Sequence, residues 1–181
     1  PHFHLSLQSG CDATLRRMGR KYHTSRYFES VKLLRGFFYR PGITTDLIVG
    51  FPGETEEEFA ETLAFIEACG FSAMHIFPYS RRSGTPAAAM PGQVPKPVKE
   101  ERARRGAEAA ARLRRAWLES WLGETLPVLF EEEKDGFWRG YAPNYTEVFV
   151  PGSALHNAVR PVTLTELRGD ALLGVLAGVD R

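Results

Sequence analysis

Three short stretches set polar side chains beside glycine or proline at what read as strand ends: Ser6, Gln8 and Ser9 before Gly10, the run Gly50-Phe51-Pro52-Gly53-Glu54-Thr55, and Tyr79-Ser80. Parallel α/β sheets carry their functional groups at the C-terminal ends of strands, so three such tips in succession point to one shared site. Taken singly, Gln8 and Ser9 could simply cap the next helix and Pro52-Gly53 could be a plain turn; taken together they favour function. The glycine run lacks the lysine of a phosphate loop, which argues against a nucleoside triphosphate. Histidines 2, 4, 23, 75 and 156 form no helical H-x-x-x-H pair, and no metal site is assigned. Cys11 and Cys69 are not in a C-x-x-C spacing and neither has a basic neighbour marking a nucleophile, which excludes a disulfide framework, a zinc finger and an iron–sulfur cluster held by this chain alone. Cys69 reads as a core residue.

The elements that must position these tips follow from periodicity. His2 to Leu7 alternates as a strand does. Asp12 is placed to cap a short helix over Ala13 to Met18, and Thr24 or Ser25 to cap a second carrying Tyr27, Val31 and Leu34, stopped by Pro41-Gly42. Ile43 to Phe51 is short, rich in β-branched residues and bounded by glycine, the pattern of a strand buried on both faces. Thr55 with Glu58 makes a capping box for a helix with Phe59, Leu63 and Ile66 on one stripe, closed by Gly70. Ala73 to Phe77 is a third strand, and this order of elements implies parallel strands with right-handed crossovers.

Pro78 to Pro97 carries five prolines and reads as a connector. A long helix over Val98 to Leu122 is expected to set Ala103, Ala107, Ala110, Leu113, Trp117 and Trp121 on one side, with Arg102, Arg105, Arg112 and Arg115 elsewhere. After Gly123 come short β-like runs, 124–131, 137–141, 147–150, 160–167 and 172–179, separated by Asp-Gly, Pro-Asn and Pro-Gly turns. They read as a small antiparallel barrel, giving a domain plan of residues 1–96, a connecting helix 97–122, and 123–181.

At 181 residues and 43% hydrophobic the chain can bury a core, and no apolar run approaches the roughly 18 residues of a membrane span. A net charge of +1 does not by itself announce a nucleic-acid binder, so any basic face is local. The unpaired cysteines suit the reducing cytosol. Because a strand begins at once from Pro1, without an initiating Met or leader, the chain is expected to be a piece of a longer protein. A half barrel would leave an open sheet edge, hence an expectation of self-association.

Pro1 to Met18, Arg20-Lys21-Tyr22, Thr44 to Thr55 and His75 to Pro86 resemble the second half of the radical S-adenosylmethionine barrel of the methylthiotransferases. Gly140 to Tyr145 with Val148-Phe149-Val150 is similar to the signature of the TRAM module that follows it in that family. Phe77 to Arg82 with Gly84-Thr85-Pro86 looks most like the branch that modifies N6-threonylcarbamoyladenosine in tRNA beside the anticodon; sister branches act on isopentenyladenosine or on a ribosomal-protein aspartate. The resemblance implies an α/β fold, the C-terminal half of a partial TIM barrel followed by a TRAM-like barrel. It also implies S-adenosylmethionine as cofactor, two [4Fe–4S] clusters whose cysteine ligands lie outside this chain, tRNA and an electron donor as partners, and a chain catalytically silent by itself.

Carried over residue by residue, Ser6, Gln8 and Ser9 resemble the ribose and amino-acid side of the cofactor site, and Arg20 the arginine that meets its carboxylate. Ile48 and Gly50 resemble the strand that packs on adenine, while Phe77 and Tyr79 end the strand near adenine or the substrate base. Asp46 either belongs to this site or hydrogen-bonds a neighbouring loop. For RNA, the resemblance points to Arg81 and Arg82 near the mouth and to Arg139, Tyr141, Asn144, Tyr145 and Arg160 in the barrel, although strand tyrosines are more often half-buried than stacking platforms. The competing readings are a non-catalytic tRNA-binding protein and a phosphate-binding barrel enzyme of different chemistry.

Overall fold

The computed structural model describes residues 1–152 and 154–178; Val179, at the end of the last expected strand, lies outside them. The chain forms two units, one of Phe3–Leu113 and one of Pro1–His2 with Arg114–Arg181. The first contains β1 (His2–His4), α1 (Asp12–Arg17), α2 (Thr24–Phe37), β2 (Gly42–Val49), α3 (Glu56–Cys69), β3 (Ala73–Pro78), α4 (Pro86–Ala89) and the start of α5 (Lys96–Glu119). The sheet order is β1-β2-β3. β2 and β3 pair in parallel from Thr44↔Ala73 to Val49↔Pro78. Beyond β1 the pairing survives as a single parallel bridge, Gln8↔Leu47, so the first strand is shorter than its alternation predicts.

α3 starts where the sequence places it. The Thr55 side chain accepts from the Glu58 amide, the Glu58 side chain accepts from the Thr55 amide, and Gly70 ends the helix in the left-handed region at φ 60°. Its stripe of Phe59, Thr62, Ile66 and Cys69 is buried. Against the sheet, Leu7, Ile43, Leu47, Val49, Phe71, Tyr27 and Val31 complete the core.

Four expectations change. β2 is buried on one face only: Ile43, Thr45, Leu47 and Val49 are covered, whereas Thr44, Asp46 and Ile48 are half-exposed and His75 and Phe77 on β3 are exposed. The buried positions of β2 carry the core packing, and among the described residues of the unit no helix or strand buries the alternate face. Asp12 does not cap its own helix, whose N-cap is Cys11; its Oδ1 instead accepts from the Thr24 amide at 2.7 Å, so α2 is capped by a residue from α1 and its N-cap position is His23. The connector contains the four-residue α4, capped by Thr85. On α5 the buried stripe lies one residue earlier than expected: Arg102, Gly106 and Ala109 are covered, while Ala107 is exposed.

The second unit contains β4 (Thr125–Lys134), β5 (Phe137–Tyr141), β6 (Glu147–Pro151), β7 (Val159–Arg168) and β8 (Ala171–Leu176), closed in the order β4-β5-β6-β8-β7. Four of its pairings are antiparallel, but β6 and β8 run parallel at Val148↔Leu172 and Phe149↔Leu173, so the barrel is mixed and not purely antiparallel. Closure leaves no sheet edge. Val128, Phe130, Val148, Val150, Val162, Leu164 and Leu172 fill the interior with Leu118 and Trp121. Gly140 is required by close approach, since a Cβ there would collide with the Leu129 carbonyl oxygen.

Arg17 on α1 forms an ion pair with Glu58, and Glu58 also accepts from Thr14 at 3.2 Å. Burial pushes the Glu58 carboxyl up, but Arg17, the Thr55 amide and Thr14 together hold it below the ordinary glutamate value. A depressed carboxyl releases its proton more readily in the folded chain, so its stabilisation is present above that ordinary value and is lost as pH falls through the depressed one. Replacing Arg17→Met is therefore expected to shrink the difference in urea-unfolding free energy between neutral pH and about pH 3. An unchanged difference would remove this pair from the acid response.

Candidate functional site

Side chains on alternate positions of a strand share a face, and the uncovered face of the sheet carries His4, Ser6, Thr44, Asp46, Ile48, His75 and Phe77. The register sets Asp46 opposite His75 and Ile48 opposite Phe77. His4 organises the β1 end of this face: its Nδ1 lies 3.1 Å from Thr44 Oγ1, and its Nε2 lies 3.2 Å from Ser6 Oγ and 3.3 Å from Asp46 Oδ2. Asp46 thus bonds a neighbouring strand's histidine, not a loop.

At the C-terminal edge, Gln8 is held in the left-handed region at φ 68°. Its amide donates to Asp46 O and its carbonyl accepts from Ile48 N, both at 2.9 Å, so a strained residue seats the end of β1 against β2. Ser9 turns away from the open face. It is 1% exposed, its hydroxyl is 3.3 Å from Thr62 Oγ1, and it accepts from the Cys11 amide. Tyr22 donates to the Ser6 and Leu7 carbonyls at 3.1 and 2.8 Å. Burial pushes its hydroxyl up and the Arg20 charge draws it part of the way back, Arg20 itself being exposed.

The glycine run after β2 and the tip after β3 meet. Gly50 takes φ 70°, and the Phe51 and Tyr79 rings pack edge to face at 5.3 Å. Glu54 Oε1 accepts from the Gly50 amide and from Arg102 Nη1, each at 2.9 Å, in an ion pair whose side chains are 2% and 6% exposed. Burial dominates the Glu54 carboxyl and pushes it up against the opposing pull of the Gly50 amide and Arg102. Lys99 Nζ donates to Tyr79 O at 2.9 Å. The Tyr79 hydroxyl is buried, with no hydrogen-bond partner among the described residues. Sequence reasoning missed His4, Tyr22, Glu54, Lys99 and Arg102. The signal for Arg102 was its place on the same helical stripe as Gly106 and Ala109.

The residues expected to meet RNA divide between the units. In the first, Arg82 is exposed and Arg81 donates through Nε to Ala88 O at 2.8 Å. In the barrel, Arg139 is occupied: it pairs with Glu132 and Glu147 and donates to the Tyr141 hydroxyl. Asn144 is 5% exposed and its Oδ1 accepts from the Thr146 amide at 3.1 Å, which makes it a turn-builder. That turn sets Tyr145 at φ 64°, 63% exposed as a residue, with its ring stacked on Tyr141 at 5.2 Å and on His2 at 5.0 Å between centroids. Arg160 is exposed.

The cofactors implied by the resemblance fit this chain unequally. For a cluster, no group of three His, Cys, Asp or Glu side chains among the described residues could hold a metal. Both cysteines are buried, and burial pushes the Cys69 thiol up to about 12, away from the thiolate a cluster needs. For S-adenosylmethionine, the open face supplies the Ser6 hydroxyl and the Asp46 carboxylate, groups of the kind that meet ribose and ammonium. That donor set fits the ligand. No helix among the described residues is long and apolar enough to cross a membrane.

The chain is similar to known proteins over most of its length. A model of the radical SAM superfamily matches residues 1–66. The chain is 40% identical over 157 residues to the threonylcarbamoyladenosine tRNA methylthiotransferase MtaB of Bacillus subtilis, covering 84% of this chain and 35% of that protein. It is 41% identical over 167 residues to the tRNA-2-methylthio-N(6)-dimethylallyladenosine synthase of Symbiobacterium thermophilum, covering 90% and 36%. A synthase of the same name from Pelotomaculum thermopropionicum is 37% identical over 180 residues, covering 97% and 40%. The chain thus spans well under half the length of these relatives. Partial parallel barrel, closed mixed barrel and these matches agree: the chain belongs to the radical SAM methylthiotransferase family.

Proposed function

We propose that this chain supplies the C-terminal part of the cofactor-binding barrel and the RNA-contacting module of a tRNA methylthiotransferase, one that sets a methylthio group on C2 of N6-threonylcarbamoyladenosine beside the anticodon. The observation that carries this reading is the accessible polar face of the sheet, with Ser6 and Phe77 exposed and Asp46 half-exposed where a two-sided sheet would bury them. Bound S-adenosylmethionine and iron–sulfur clusters, the latter with ligands outside these 181 residues, supply the radical, the sulfur and the methyl group; the chain alone is silent.

In this reading Ser6 and Asp46 orient ribose and ammonium, Arg20 meets the methionyl carboxylate, and Ile48 and Gly50 face adenine. The Ser9 hydroxyl, bonded towards α3, braces the tip without touching ligand. In the full-length enzyme, Arg20→Ala is expected to weaken S-adenosylmethionine binding by about 1.5–3 kcal/mol in calorimetry, the scale of a hydrogen bond to a charged group. Unchanged affinity would remove Arg20 from the site.

The barrel meets tRNA through exposed arginines and the Tyr141–Tyr145 stack, a non-selective contribution, while Tyr79, Arg81 and Arg82 meet the modified base. Arg139 is already neutralised by two carboxylates, whereas Arg160 is exposed. Arg160→Ala is therefore expected to lower the salt slope of tRNA binding by about one counterion and Arg139→Ala by less, read from a salt titration. A larger loss of slope in Arg139→Ala would reverse the assignment. Run with tRNAs carrying threonylcarbamoyladenosine or dimethylallyladenosine, turnover by the full-length enzyme decides the branch; preference for the second would move the chain to the synthase branch. Reducing surroundings and an electron donor belong to the same reading.

Leu33, Phe37 and Tyr39, exposed by 58%, 77% and 74%, present apolar surface in the unit whose sheet ends at β1. Copies of the isolated chain are expected to associate through them. A concentration-independent monomer in sedimentation would refute this.

A further inference from the structure

Resting on the cofactor reading above, we propose that Lys99 and Arg102, on the first half of α5, are positioning residues that fix the backbone of Gly50 and Tyr79 in the form an adenosyl ligand meets. Neither residue belongs to a strand tip. Both reach the tips from a helix that the reading had assigned only a connecting role.

Arg102 is 5% exposed and reaches the glycine run in two ways: Nη1 donates to the Glu54 carboxylate at 2.9 Å and to the Glu54 carbonyl at 3.0 Å. The same Glu54 oxygen accepts from the Gly50 amide, so one atom links helix and strand end. Arg102 Nε also lies 3.5 Å from Glu56 Oε2, and its guanidinium sits 5.6 Å from the centre of the Phe59 ring. One turn earlier, Lys99 donates to Tyr79 O and its ammonium lies 5.7 Å from the centre of the Tyr79 ring. The Lys99 stem fills the space a Gly50 Cβ would occupy, so the lysine and the glycine require one another. Phe51 against Tyr79 joins the two tips, which are therefore held as one body.

A buried ion pair is a poor source of stability, because desolvating both charges offsets most of their attraction and apolar replacements often fold as well. A pair placed on a strand-end amide in a left-handed glycine acts instead on geometry. Adenine presents polar edges to backbone groups, and a shift of about 1 Å in those groups costs a ligand its alignment.

Amide hydrogen exchange on the full chain tests the clamp, and S-adenosylhomocysteine binding to the full-length enzyme tests what it positions. Arg102→Met and Lys99→Met are each expected to speed exchange of the Gly50 amide about tenfold or more, leaving the Gln8 and Ile48 amides and the barrel within about twofold. In the full-length enzyme the same variants are expected to raise the Kd for S-adenosylhomocysteine about tenfold, with Arg102→Lys recovering part of the loss. Lys99→Met keeps the stem and removes only the charge, so it remains informative should Arg102→Met unfold. Unchanged exchange at Gly50, or a uniform rise across β2, overturns the clamp. A local rise with unchanged Kd overturns its role in binding. Local exchange changes in an enzyme whose wild type binds no S-adenosylhomocysteine would instead overturn the cofactor reading and remove the ligand from this proposal.

Discussion

A carboxylate withdrawn from water at the end of β2 sets the terms for the rest of the first unit. Glu54 is 7% exposed and its burial pushes the carboxyl up, so its charged form persists only where it is met on more than one side. Gly50 donates one amide and Arg102 one guanidinium N–H to the same oxygen. Meeting both requires a turn in which Gly50 takes φ 70°, and a helix whose buried stripe has an arginine where a leucine would ordinarily sit. Small residues follow on that stripe: a Cβ on Gly106 would come within 3.2 Å of Ile76 Cγ2, which explains how α5 lies close enough to β3 for Lys99 and Arg102 to reach the tips.

With the tips fixed from the helix side, the opposite face of the sheet is left free for polar groups. An exposed hydroxyl or imidazole carries little desolvation cost and a half-exposed carboxylate bonded to a neighbour carries a small one, so Ser6, His4, His75 and Asp46 can occupy alternate strand positions without weakening the core beneath them. Leu7, Leu47 and Val49 on the intervening positions are fully buried and carry the packing. Strand alternation thereby separates stability from chemistry residue by residue, and the His4 bonds to Thr44, Ser6 and Asp46 hold the open face in register without a covering layer.

The parts of this arrangement legible in the sequence are those written in local patterns. The Thr55–Glu58 box, the Gly70 stop, the succession of strands and helices and the five β runs after Gly123 need only near neighbours to be recognised. What a local pattern cannot carry is which face a neighbour covers. Ile48 beside Leu47 and Val49 makes β2 look apolar throughout, and only the absence of a second layer among the described residues of the unit exposes Thr44, Asp46 and Ile48. Asp12 looks like the cap of its own helix but serves Thr24, twelve residues on, because α1 is too short to separate it from the next helix start. Arg102 was hidden by its charge: arginine on a helix reads as solvent-facing unless its partner, 48 residues away, is known to be buried.

The same separation decides how the barrel motif should be understood. Asn144 is spent on the Thr146 amide, and Arg139 on Glu132, Glu147 and Tyr141, so the two most recognisable polar residues of that stretch are builders of the turn and its flank. Their product is Tyr145, an exposed residue held in a left-handed conformation that costs about 1 kcal/mol or more for a non-glycine residue, its ring stacked on Tyr141 and His2. A turn that spends strain to set an aromatic ring against two others builds a stacked aromatic row, which offers stacking surface and not edge-reading hydrogen bonds. In the proposed reading this makes the barrel a place of attachment, and it leaves any discrimination to the strand ends of the first unit, whose backbone Glu54 and Arg102 hold in place.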